Sequence, residues 1–199
     1  GIPYPLFSYT AVLPWTFFST SLAMGIPSLV NNMNLVTKVR MPREILPMAT
    51  VLASLVDFSI ASLVFVGMVL FYRVNLHWTA LWVLPLLGIQ IILTTGVVLL
   101  GSALNVLYRD IRFVVPLATQ LWMYASPIIY PVDLIPERLR LFYFTNPMAG
   151  LLEGYRAAIL RAETPDLAAL GLSLVISIVV LVTGYRTFKR LEPSFADLI

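Results

Sequence analysis

The sequence predicts an all-α fold: a polytopic membrane helical bundle with about five spans and short re-entrant or interfacial helices on one side. Three observations carry this. Of 199 residues 59% are hydrophobic and only 12% charged, whereas a soluble domain has about a quarter charged. The mean hydropathy is +0.89. Apolar stretches long enough for a helix to cross about 30 Å of hydrocarbon, which takes about 20 residues, recur along the whole chain as a single domain over 1–199.

The first span reads from Leu6 to Val30 and the second from Pro47 to Tyr72, with a polar loop between them. The third runs from Thr79 to Leu107, and the last from Leu167 to Phe188. All four are apolar on every side instead of striped, the pattern of a helix with no aqueous face. A shorter stretch, Val114 to Tyr130, carries Pro116 and Pro127 and crosses only if tilted or if the bilayer thins around it. The segment 131–166 alternates prolines with two amphipathic pieces, Glu137 to Tyr143 and Met148 to Leu160. In the second, Met148, Leu151, Leu152, Tyr155 and Ile159 share one face and Glu153 and Arg156 the opposite flank. Two short helices at the outer surface fit, either as a cover on the bundle or as a gate. Between the third and fourth spans, "YRDIRF" leaves room only for a sharp turn, which an Arg109–Asp110 pair can fasten.

Five spans place the two ends on opposite sides. Lys38, Arg40, Arg43, Arg109, Arg112, Arg186, Lys189 and Arg190 fall on one side, against Arg73, Arg138, Arg140, Arg156 and Arg161. Eight against five makes the first side cytoplasmic, and with it the C-terminus. The chain begins at Gly1, not Met, and lacks the basic region, short apolar core and cleavage site of a signal peptide. It reads as N-terminally incomplete.

Several classes of chemistry are excluded. With no cysteine there is no thiolate metal site, and one histidine, His77, builds no metal cluster. The net charge of +3 is spread thinly among apolar spans, without the stripe that nucleic acid requires. No Gly-Lys-Ser or Gly-Lys-Thr loop exists to cradle phosphates, and both lysines, Lys38 and Lys189, lack a preceding glycine. The chain is therefore expected to bind no cofactor and to be no enzyme.

Six segments in register carry a resemblance: "NLVTKVRMPREILP" at Asn34 to Pro47, "LVDF" at Leu55 to Phe58, "LNVLYRDI" at Leu104 to Ile111, "SPIIYP" at Ser126 to Pro131, "NPM" at Asn146 to Met148 and the closing "EPSFADLI". Together they resemble the membrane subunit of ABC-2-type exporters of polysaccharide, the O-antigen, capsule and teichoic-acid family, over essentially the whole chain. The resemblance implies a homodimeric permease in the bacterial inner (plasma) membrane, with six helices per full subunit. It moves lipid-linked polysaccharide and is driven by a separate ABC ATPase that holds the ATP and magnesium. An ABC-2 exporter of lipid or drug, or a membrane enzyme of lipid-linked sugars, is the alternative.

Candidate site residues follow. Asn34 can cap a short helix running to Met41, ended by Pro42. Lys38, Arg40 and Arg43 in that loop either hold it against anionic lipid or, as the resemblance implies, meet the ATPase. Trp15, Phe17 and Phe18, with Trp122, Tyr124 and Tyr130, either form interfacial belts or line a channel in which sugar rings slide. Asp57 stands inside a span, where an ionisable group is costly unless it faces the bundle or water. It is a functional candidate or a structural acceptor.

Overall fold

The computed structural model describes residues 3–38, 41–74, 76–128 and 144–195. Helix α1 spans Tyr4–Gly25, entered through Pro3 and Pro5, whose missing N–H groups cost nothing in a first turn. It stops short of the expected Val30, because Pro27 cannot donate to the preceding turn. Two short helices follow, α2 (Ser28–Asn31) and α3 (Met33–Lys38). Helix α4 (Ile45–Phe71) holds Pro47 in its first turn. A 3-10 turn, Trp78–Trp82, leads into α5 (Val83–Leu107), and α6 covers Ile111–Tyr124. Helix α7 (Pro147–Arg156) runs on as a π-helical turn through Arg161, and α8 spans Leu167–Leu191.

Among the described residues three helical stretches, Ile45–Phe71, Trp78–Leu107 and Leu167–Ser194, are long and apolar enough to cross a membrane. Helix α1 has the length, 22 residues, but hydroxyls dilute its apolar character. The stretch expected to cross from Val114 to Tyr130 is different. Helix α6 has 14 residues, a rise of about 21 Å, and ends before Pro127. The turn into it is closed by the buried Asn105 side chain, which accepts the Arg112 N–H at 3.1 Å. The expected Arg109–Asp110 pair does not form among the described residues.

Two contacts organise the bundle. Helices α5 and α8 meet along small residues: a Cβ at Gly96 would stand 2.6 Å from the Leu181 nitrogen, and one at Gly184 would collide with the Gly96 carbonyl. Close backbone approach of this kind is how helices associate where lipid is as apolar as Leu. The second contact corrects the expected surface position of Met148 to Leu160. Helix α7 is inserted into the bundle, with Met148, Leu151 and Leu152 fully buried against Phe18, Leu86 and Leu93. Its neighbour Glu137 to Tyr143 lies outside the described residues.

Arg156, expected on the exposed flank of α7, is also buried. Its guanidinium lies 3.8 Å from the centre of the Phe7 ring and donates to the Ile128 carbonyl at 2.7 Å. Glu153 instead meets Arg161 at 2.6 Å. Only Glu153 of the expected flank reaches solvent; Arg156 faces the bundle, where its charge is met by an aromatic face and a carbonyl.

Candidate functional sites at the basic end and on the polar face

The bundle has a basic end, where α3 stops at Lys38 and α8 at Leu191. Helix α3 starts one residue before Asn34, so Asn34 lies inside it and is not its cap; the helix ends at Lys38, short of Met41. Asn34, Lys38 and Pro42 are exposed, and Arg40 lies outside the described residues.

Arg43 is not presented outward. Its guanidinium donates to the Glu192 carbonyl and lies 5.9 Å from the centre of the Phe195 ring. Beside it, the Lys189 Nζ bridges Glu44 at 2.7 Å and Glu192 at 3.0 Å. Burial pushes the Glu44 carboxyl up, but the Lys189 ammonium bonded to it more than offsets this and leaves it below its ordinary range. Beneath lie Leu29, Leu99, Phe188 and Phe195, fully packed. The entry to α4 and the exit from α8 thus form one joint.

The aromatic pairs separate. Trp15, Phe17 and Phe18 are largely buried, but Trp15 reaches a groove between α1 and α6 and Phe17 a groove between α1 and α4. Phe17 packs on Phe58 at 5.7 Å and Phe18 takes Trp122 edge-on at 5.1 Å. Trp122 is half-buried and donates its indole N–H to Asn146 at 2.9 Å. Asn146 also caps α7 through the Met148 N–H and donates to the Ser126 hydroxyl. Asn146 of "NPM" therefore ties the start of α7 to Trp122 and Ser126 at the end of α6. Tyr124 is 60% exposed; Tyr130 lies outside the described residues.

What the sequence reading missed is a polar face across α4, α1 and α6. Thr16, Ser19 and Thr20 recur at i, i+3 and i+4 on α1, a single helical face. On one side Thr16 and Thr20 share a groove of about 210 Å³ with Ser54, Asp57 and Phe58 of α4. On the other Ser19 and Thr20 share a more open groove with Pro116, Thr119 and Gln120 of α6. Thr20 belongs to both grooves. The signal was present as hydroxyl periodicity, hidden because Ser and Thr hardly lower the hydropathy of a span.

Asp57 is exposed on this face. Thr16, Ser19 and Thr119 turn their hydroxyl protons back onto their own helices. Among the described residues nothing bonds to Thr20, Ser54, Asp57 or Gln120. Nor does any group of three or more His, Asp and Glu among them gather as metal ligands would.

A family model described as ABC-2 type transporter matches residues 2–160. The chain is 28% identical over 198 residues to the O-antigen export system permease protein RfbA of Myxococcus xanthus, covering 98% of this chain and 76% of the relative. It is 27% identical over 199 residues to the O-antigen export system permease protein RfbA of Klebsiella pneumoniae, with the same coverage of each.

Proposed function

The chain belongs to the ABC-2 type transporter family, and from that premise we propose that it is the permease subunit of an ATP-driven exporter of lipid-linked polysaccharide. The observation that carries the reading is the polar face. A bundle embedded in lipid cannot leave Asp57, Gln120 and a row of hydroxyls against hydrocarbon, because the bilayer offers them no partner. Such a face must border water, and polar residues inside a membrane mark a transport pathway by default. One subunit supplies one wall, so a second copy related by twofold symmetry completes the conduit. The printed names of the relatives, O-antigen export permeases, supply the substrate class.

The energy comes from a partner ATPase, since the sequence offers no phosphate-binding loop. Its docking surface is the exposed side of α3, with Asn34 and Lys38, together with Pro42. In this reading the basic end faces the cytoplasm, consistent with its excess of Lys and Arg, and the membrane is the bacterial inner membrane. A push on α3 reaches α4 and α8 together, because Arg43 and Glu44 are bonded to the end of α8. Trp15, Phe17 and Phe58 line the two grooves, and Tyr124, exposed on α6 beyond Gln120, extends this set of aromatics along the path.

Deleting the chain from a host that displays the polymer tests this directly. Surface polysaccharide should vanish while its lipid-linked precursor accumulates inside. Undiminished surface polymer would overturn the reading. Lys38→Glu should reduce ATPase association with the purified permease by about tenfold, whereas the same charge reversal at Arg161, at the other end of the bundle, should leave association unchanged.

A further inference from the structure

The groove between α1 and α4 combines three properties that packing does not explain. Its lining holds a single titratable group, Asp57, on an exposed face of a helix long and apolar enough to cross the membrane. Ser54 beside it is 3% exposed, lines the groove and has no hydrogen-bond partner among the described residues. Thr20, opposite on α1, has none either. An unpaired carboxylate can accept up to about four hydrogen bonds, and each hydroxyl can donate one and accept two. The site is therefore rich in acceptors and short of donors.

Three occupants differ in what they offer. A lipid tail has no donor, so it leaves the carboxylate bare at a cost of several kcal/mol. A second copy that laid its own groove here would bring the same acceptor-rich patch and so the same shortage of donors. A proton relay needs another titratable group within reach, and none lines the groove. A hydroxyl-rich chain supplies what is missing: adjacent hydroxyls donate to both carboxylate oxygens and accept from Ser54 and Thr20, while the C–H faces of its rings pack on Phe58.

Resting on the polysaccharide-export reading, we propose that this groove is a saccharide subsite within the membrane, in which Asp57 accepts hydrogen bonds from the hydroxyls of the passing polymer. The contact is made through hydroxyls and one charge, so it is open to many sugars and releases each as the next arrives. It adjoins the α1–α6 groove through Thr20, which gives the polymer a path along three helices whose mostly apolar walls carry Asp57, Gln120 and hydroxyls.

The chain contains no cysteine, so single-cysteine variants report one position each. Asp57→Cys and Thr20→Cys in the assembled transporter are treated in cells with a membrane-impermeant methanethiosulfonate, which reacts only with wet thiols. Leu52→Cys and Leu63→Cys, exposed on α4 and turned about 140° and 120° from Asp57 by helical spacing, serve as lipid-facing controls. Asp57→Cys and Thr20→Cys should react at least about tenfold faster than the controls. With polymer synthesis running, their rates should fall at least about threefold relative to cells in which synthesis is blocked. Reaction no faster than the controls, a spontaneous disulfide between two Asp57→Cys copies, or a fast rate indifferent to polymer would each overturn the subsite. Should Asp57→Cys fail to reach the membrane, Asp57→Asn gives the second measurement. It should export shorter or fewer chains at normal permease abundance, and unchanged export would overturn the proposal. If deleting the permease abolishes export while neither cysteine is protected, the subsite fails and the exporter reading stands; if deletion leaves export intact, the exporter reading fails first.

Discussion

The basic end and the membrane-embedded polar face invite comparison, because one gathers several charges and the other holds a single charge, Asp57, among hydroxyls. At the basic end, Arg43, Glu44, Lys189 and Glu192 meet one another. On the polar face Asp57, Ser54 and Thr20 meet nothing in the described chain. A network bonded to itself, even with one Glu44 oxygen left over, can be explained by folding alone. A group with no bond in a low-dielectric setting implies a partner beyond the described residues, since an unmade buried hydrogen bond costs about 1–3 kcal/mol. Charge near a functional segment is thus a poor guide to function; the absence of an internal partner is a better one.

The largest test of that contrast lies in the closed part of the molecule, at the α5–α8 seam. Gly184→Leu should destabilise by about 3 kcal/mol or more, because the added side chain meets the Gly96 backbone, which cannot yield. Loss of the protein from membrane fractions, or a sharp fall in Tm in detergent, would show it; an unchanged Tm would mean the helices separate more freely than their contact suggests. Next, Lys189→Glu replaces the cation that holds Glu44 and Glu192 with a third carboxylate. A loss of about 1–2 kcal/mol is expected, modest because Lys189 is partly solvated. Lys189→Arg should retain most of the stability.

A smaller effect concerns acid. The Glu44 carboxyl is held below its ordinary value of 4.5 in the folded protein. It therefore contributes stability that is complete above that pH and is lost as pH falls through the folded value. Thermal stability in detergent should decline below about pH 4.5 in the wild type and less steeply in Glu44→Gln. Equal slopes would remove the pair from the account. The smallest effect is on the open side: Asp57→Asn should change Tm by no more than about 0.5 kcal/mol equivalent, because no internal partner is lost. A large drop would mean the carboxylate is a structural acceptor and would erase the distinction between the two regions.

Much of the architecture was legible in the residues. Pro47 in a first turn, the long apolar spans 47–72, 79–107 and 167–188, and a helix over Met148 to Leu160 follow from proline chemistry, length and periodicity. The misreadings share a cause. Val30 was joined to the first span because hydropathy averages over Pro27, and α6 was lengthened past Tyr124 for the same reason at Pro127. Aromatic identity does not say which face of a helix is covered: Phe18 is sealed in the core, while Trp15 and Phe17 reach the grooves. The inward turn of Arg43 is not legible locally, because its partners, the Glu192 carbonyl and the Phe195 ring, lie at the other end of the sequence.

The sequence by itself determined that this chain is a membrane helical bundle without a phosphate-binding loop, because transfer of side chains into hydrocarbon and the chemistry of phosphate binding act on local segments. Only the tertiary structure decided which polar groups are spent and which are left over. That depends on whether a donor hundreds of atoms away along the chain arrives within about 3 Å, as Lys189 does for Glu44 and as no described residue does for Asp57. Composition records how many hydrogen-bonding groups exist; only their juxtaposition leaves one facing outward without a partner.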